Sequence, residues 1–200
     1  MARPSVEAER REQIMAATRR VLVTRGLTLL RVSDVAKAAS LSPGIIHYYF
    51  DSKEELLRAT FDDAFHASLD RRKSIIAKDE PADVKLHALL RTYVPQDERT
   101  VESWHVWLQL WTGALQDPDL RNINERAYGE WRALIGAVIT QGIETGVFEC
   151  SDTALVVNQL ISMIDGLAVQ VLLESGEITP DEMARLCDEY VDTLLAVDAG

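Results

Sequence analysis

Leu41-Ser42-Pro43-Gly44-Ile45-Ile46-His47-Tyr48-Tyr49-Phe50-Asp51-Ser52-Lys53-Glu54-Glu55-Leu56-Leu57 packs a turn, a short aromatic-rich helix and the start of another helix into seventeen residues. The small or polar groups Ser42, Pro43 and Gly44 open the short helix, and the hydrogen-bonding rings His47, Tyr48 and Tyr49 lie near its end. That order suits a helix entering a major groove tip first, with slim residues at base edges and larger polar ones reaching phosphates. Ile46 and Phe50 are left to fasten this helix to its neighbours.

The flanks supply the rest of the unit. From about Ala8 to Thr24 the apolar positions Ile14, Ala17, Val21 and Leu22 recur at helical spacing, and Gly26 follows as a stop. Val32, Val35, Ala36 and Ala39 mark a second, short helix, and Ser40-Leu41-Ser42-Pro43 breaks it from the third. Helix, tight turn, helix is the helix-turn-helix arrangement. Ser52, with Glu55 three residues on, is a capping-box signature for a fourth helix that buries Leu56, Leu57, Phe61 and Phe65. A head of residues 1–52 is therefore expected, followed by a body of residues 53–200.

The body reads as helical throughout, without the period-2 alternation that a sheet requires. Pro81 precedes a helix holding Val84, Leu86, Leu89 and Leu90, which Pro95 closes. Further helices run from about Asp97 to Leu115, from Pro118 to Thr145 before Gly146, and from a cap at Ser151 or Asp152 to about Glu174. Thr179-Pro180 opens a last one that ends near Ala196. The fold class is all-α with about nine helices.

Composition fits a globular chain, with 47% hydrophobic and 26% charged residues in 200. Uninterrupted apolar stretches such as Ala133 to Ile139 fall far short of the roughly 20 residues of a bilayer span, so no membrane partner is expected. The first residues lack the apolar core of a secretory signal, which points to the cytoplasm. Cys150 and Cys187 show no metal-ligand spacing, and no metal or cofactor is expected. The net charge of −11 is unevenly spread: residues 1–58 hold ten Lys and Arg against seven Asp and Glu, and the remainder carries −14. A nucleic-acid-facing head on an acidic body accounts for that asymmetry.

Trp104, Trp107, Leu108, Trp111 and Leu115 share one helical face. Two readings remain open: a core stripe, or a partly ring-lined cage for a cationic ligand, with Tyr128 and Trp131 as the opposing wall. Asp165 sits among Ile161, Ala168 and Leu172 in an apolar helix and needs a partner, either across a dimer interface, on a neighbouring helix, or in an effector. Leu160, Ile164, Leu167 and Val171 on that helix, with Leu186 and Tyr190 on the last, exceed the apolar surface one small body needs. Two copies forming a four-helix bundle would bury them together with Asp165.

The span from about Arg10 to Leu57, and Gly44 to Leu57 above all, resembles the TetR family of bacterial one-component regulators. The body is similar, more loosely, to the subgroup typified by the choline-responsive repressor of betaine synthesis, through Trp107-Leu108-Gln109-Leu110-Trp111, Asp117-Pro118-Asp119-Leu120 and Asp165-Gly166-Leu167. The resemblance implies a homodimer that binds a palindromic double-stranded DNA operator, represses transcription and is released by a small-molecule effector, cationic or lipophilic. It places Ser42, Pro43, Gly44 and Ile45 at base edges, and His47, Tyr49, Lys53 and Ser33 at phosphates. The chain departs from the family at Ser40, where glycine is usual, and at Leu30-Arg31, where a threonine normally caps the second helix. An enzyme built on His105 or His47 competes poorly, because no catalytic spacing accompanies them. A helical protein-interaction module is the other alternative, and a stable dimer would separate the regulator from it.

Overall fold

The computed structural model describes residues 6–195, with side chains to residue 192; Ala196, where the last helix was expected to end, lies outside them. The described residues form nine helices and no strand: α1 (Val6–Leu29), α2 (Val32–Ala38), α3 (Pro43–Tyr49), α4 (Lys53–Ile76), α5 (Ala82–Arg91), α6 (Glu98–Ala114), α7 (Pro118–Glu144), α8 (Thr153–Leu172) and α9 (Pro180–Leu195). They fall into two compact units. Of the described residues, unit 1 takes those up to Ala67 with His105–Arg126, and unit 2 takes Ser68–Trp104 with those from Ala127 onward.

In unit 1, α1 buries Ile14, Ala17, Thr18, Val21 and Leu22, a single stripe at helical spacing. Gly26 interrupts it at φ 75°, and the freed Leu27 amide donates to Gln109 Oε1 of α6 at 2.6 Å. The end of α2 explains why glycine is usual at residue 40. Ser40 N–H donates to Lys37 O and Leu41 N–H to Ala36 O, a helix-closing motif whose left-handed residue is Ser40 itself, at φ 56°. Arg31 begins α2 with no side-chain cap, as the missing threonine leads one to expect. At α3 the Ser42 hydroxyl accepts from Ile45 N–H and Pro43 occupies the first turn, whereas α4 starts on Ser52, whose Oγ accepts from Glu55 N–H at 3.0 Å. Glu55 reaches back to the Asp51 amide, one residue before the usual capping-box partner.

In unit 2, Asp152 is the cap of α8, accepting from Leu155 N–H at 2.9 Å, and Thr179 Oγ1 accepts from Glu182 N–H at the start of α9. Gly146, at φ 72°, closes α7 as the sequence suggests. The eighth helix stops at Leu172, two residues before the expected Glu174, because Glu174 takes the left-handed position at φ 52° while Ser175 N–H closes onto Gln170 O. At 20 residues and mean hydropathy 1.6, α8 has the length and composition of a membrane span. Its Val156, Val157, Leu160, Ile161, Ile164 and Ala168 are nevertheless buried within the chain, the ordinary use of such a helix in a protein core. His87 of α5 lies between Asp188 and Asp192 of α9, with Arg91 also on Asp188.

Candidate nucleic-acid interface and ligand site

The α3 helix presents one buried and one open face. Ile46 and Phe50 are each 1% exposed, while Ser42, Pro43, Gly44, Ile45, His47 and Tyr48 are exposed and Tyr49 and Lys53 half-buried. Ser33 of α2 is exposed as well. Gly44 leaves open space over the first turn, since the only atom within 4 Å of an added Cβ is Ser42 Oγ. All nine residues expected at a duplex thus belong to unit 1, on α2, on α3 with its N-cap, and at the first residue of α4.

Three α1 side chains hold this head together, a task that the sequence reading missed. Arg11 Nη1 donates to Tyr49 O at 2.6 Å while its guanidinium covers the Phe50 ring, Gln13 Nε2 donates to Ala39 O, and Arg20 Nη2 donates to Ala38 O. They satisfy carbonyls that the ends of α2 and α3 leave open. Arg19, Arg25 and Arg58 are paired with acids in the same unit, at Glu12 and Asp63, Asp34, and Asp119 respectively. The excess of basic residues up to residue 58 is therefore largely consumed inside the protein. Arg31 and Lys37, both exposed and without an ion pair among the described residues, join Lys53 as cations available to phosphates.

The residues expected to form a ligand cage are divided between the units. Trp107 and Trp111 belong to unit 1; Trp104, Tyr128 and Trp131 belong to unit 2. Trp104 and Trp131 are almost fully buried, and Trp104 Nε1 donates to Tyr93 O at 2.7 Å. Trp131 meets Tyr128 edge-on at 5.3 Å between centroids and Tyr93 edge-on at 6.1 Å. Tyr128 Oη donates to Asp165 Oδ2 at 2.6 Å, so the partner Asp165 requires is supplied by a neighbouring helix. Burial pushes the Asp165 carboxyl up to about 6, against the downward pull of the Tyr128 hydroxyl. Two members of this cluster were missed from the sequence. Arg72 lies 3.8 Å above the Tyr93 ring and 6.0 Å from that of Trp131. Tyr93 itself is 5% exposed, and burial raises the pKa of its hydroxyl.

Two residues expected at a dimer interface are buried within the chain itself. Leu160 and Ile164 are 0% and 2% exposed in the single chain, so they have almost no surface left to bury against a second copy. Leu167, Val171, Leu186, Tyr190 and Asp165 keep intermediate exposure, and Leu155 and Leu173 of the α8 region are exposed.

Residues 82–196 match the C-terminal domain of BetI-type transcriptional repressors, and residues 14–60 match the bacterial regulatory proteins of the tetR family. The chain is 26% identical over 191 residues to the HTH-type transcriptional regulator PksA of Bacillus subtilis, covering 95% of this chain and 92% of the relative. It is 28% identical over 204 residues to the HTH-type transcriptional regulator BetI of Paraburkholderia phymatum, covering both chains entirely. A transcriptional regulator from Saccharomonospora viridis, solved in complex with choline, superposes with a TM-score of 0.89 at 28% identity, over 94% of this chain and 97% of that one.

Proposed function

Because the chain belongs to the TetR family of transcriptional regulators and carries a BetI-type repressor C-terminal domain, we propose that it represses transcription from a palindromic operator as a homodimer and is released by a small ammonium-bearing effector. It is a DNA-binding regulator and not an enzyme, like the relatives it matches. The observation that carries the proposal is the open face of α3, which sets Ser42, Pro43, Gly44 and Ile45 outward while Ile46 and Phe50 lock the helix down. A head of residues 1–52 reads DNA in the major groove, with Ser33, His47, Tyr48, Tyr49 and Lys53 on or near the backbone.

The body, residues 53–200, dimerises and senses. Leu167, Val171, Leu186 and Tyr190 offer the surface for a second copy, and two recognition helices are then presented about 34 Å apart, one turn of duplex. Tyr128, Trp131 and Asp165 supply rings and a carboxylate suited to an ammonium group. The complex of the Saccharomonospora viridis protein with choline supports that ligand class. Coupling is assigned to α4, which holds Lys53 in its first turn and Arg72 near its last. It requires only that effector and operator prefer different arrangements of the dimer. The site of action is the cytoplasm, where the DNA is. Footprinting on the DNA flanking its own gene tests the reading: a protected palindrome supports it, and uniform protection at every sequence contradicts it.

A further inference from the structure

Arg72 and Asp165 stand at the two ends of one run of aromatic contacts in unit 2. Arg72 covers Tyr93, Tyr93 meets Trp131, Trp131 meets Tyr128, and the Tyr128 hydroxyl is bonded to Asp165. The two charges are unequally served. Arg72 is 7% exposed; its Nε donates to Thr92 Oγ1 at 3.1 Å and its Nη1 to the Ser68 carbonyl and hydroxyl oxygens. Among the described residues no carboxylate pairs with it, and no acceptor is bonded to its Nη2. On the ring that it covers, the Tyr93 hydroxyl is buried with no hydrogen-bond partner. A buried cation without a counter-charge and a buried hydroxyl without a partner are both costly arrangements, and both groups are donors. What they lack is an anionic acceptor.

Resting on the reading of unit 2 as the ammonium-sensing site, we propose that its ligand is a small zwitterion, held by Asp165 and the ring faces at its ammonium end and by Arg72 and the Tyr93 hydroxyl at its carboxylate end. A ligand with a cation alone would share the Tyr93 and Trp131 rings with the guanidinium already on them, and would bring a second positive charge into a desolvated cluster. It would also engage the charge of Asp165 while leaving Arg72 uncompensated. A zwitterion gives Arg72 and Asp165 each a counter-charge and leaves the net charge of the cluster unchanged. The carboxylate accepts two hydrogen bonds from groups that otherwise make none there, and charge-assisted bonds of this kind are the stronger ones.

Isothermal titration of the full-length protein with four probes of related shape tests this. Choline carries the cation alone, 3,3-dimethylbutyrate the carboxylate alone, and trimethylglycine and 4-(trimethylammonio)butanoate carry both at two separations. At least one zwitterion is expected to bind ten times or more tightly than choline and than 3,3-dimethylbutyrate. Arg72→Met is expected to erase that preference by weakening the zwitterion tenfold or more while choline holds or gains, with circular dichroism melting as the check on folding. Should Arg72→Met not fold, Arg72→Lys, which keeps the charge and loses the planar fork, is expected to narrow the preference. Choline binding as tightly as both zwitterions would overturn the zwitterion proposal while leaving the ammonium-sensing reading intact. Failure of all four probes to bind folded protein would overturn both.

Discussion

Asp165 holds a charge that its surroundings resist, and that tension is measurable. Its carboxyl titrates near 6 in the folded chain and near 4 when unfolded, so the folded form binds the proton more tightly. The stability this contributes is full below about pH 4 and is lost as pH rises through about 6, a change on the order of 2 to 3 kcal/mol. Melting curves of the wild type and of Asp165→Asn are expected to diverge across that window, with the wild type falling more steeply as pH rises. An ammonium group needs the ionised carboxylate, so its affinity is expected to rise about tenfold between pH 5 and pH 7, and to stay flat in Asp165→Asn. Titration calorimetry at the two pH values checks this. Asp165 was legible in the sequence because a lone carboxylate interrupts an apolar helix. Arg72 was not, because Asp70-Arg71-Arg72-Lys73 reads as a solvated charge run. Only the fold sets Ser68, Thr92 and the Tyr93 ring around it.

At the scale of elements, the helix ends decide how well the chain punctuates itself. Three helices close on a left-handed residue: Gly146 after α7, Ser40 after α2 and Glu174 after α8. Only Gly146 is free of a Cβ penalty. Ser40→Gly is therefore expected to stabilise the protein by roughly 0.5 to 1 kcal/mol, and Gly146→Ala to destabilise it by about 1 kcal/mol, both read from urea unfolding. Gly142→Ala is expected to cost more, about 1 to 3 kcal/mol by overpacking, because an added Cβ would lie 1.9 Å from the buried Phe148 ring. Most helix starts fall within a residue or two of a proline or capping residue that marks them in the sequence, but α1 runs on to Leu29 past the expected Thr24, α5 ends at Arg91 before the expected Pro95, and the sequence set no end for α4. It placed the end of α8 late because nothing in Leu173-Glu174-Ser175 distinguishes a left-handed glutamate from a helical one. The carbonyl clamps of Arg11, Gln13 and Arg20 were likewise hidden, since side chains on one helix that satisfy the ends of others leave no local pattern.

For the molecule as a whole, burial divides labour along α8, with Leu160 and Ile164 facing inward and Leu167 and Val171 still partly open. A charge at Leu167 or Val171, as in Leu167→Asp, is expected to yield a monomer by light scattering and to abolish operator binding. The same substitution at Leu160 should unfold the chain. Charge asymmetry in the sequence pointed to the DNA-facing end correctly in sign but overstated its strength, because internal ion pairs absorb Arg19, Arg25 and Arg58. Lys37→Ala and Lys53→Ala are each expected to weaken binding to all sequences and to lower the salt slope by about one, while Ile45→Ala changes sequence preference. The most direct test is fluorescence anisotropy of a labelled palindrome from the DNA flanking its own gene, titrated with the protein over a range of salt and then with trimethylammonium ligands. Steeply salt-dependent binding by a dimer, released tenfold or more by one of those ligands, is the predicted result; binding without sequence preference, or specific binding that none of them shifts, would contradict it.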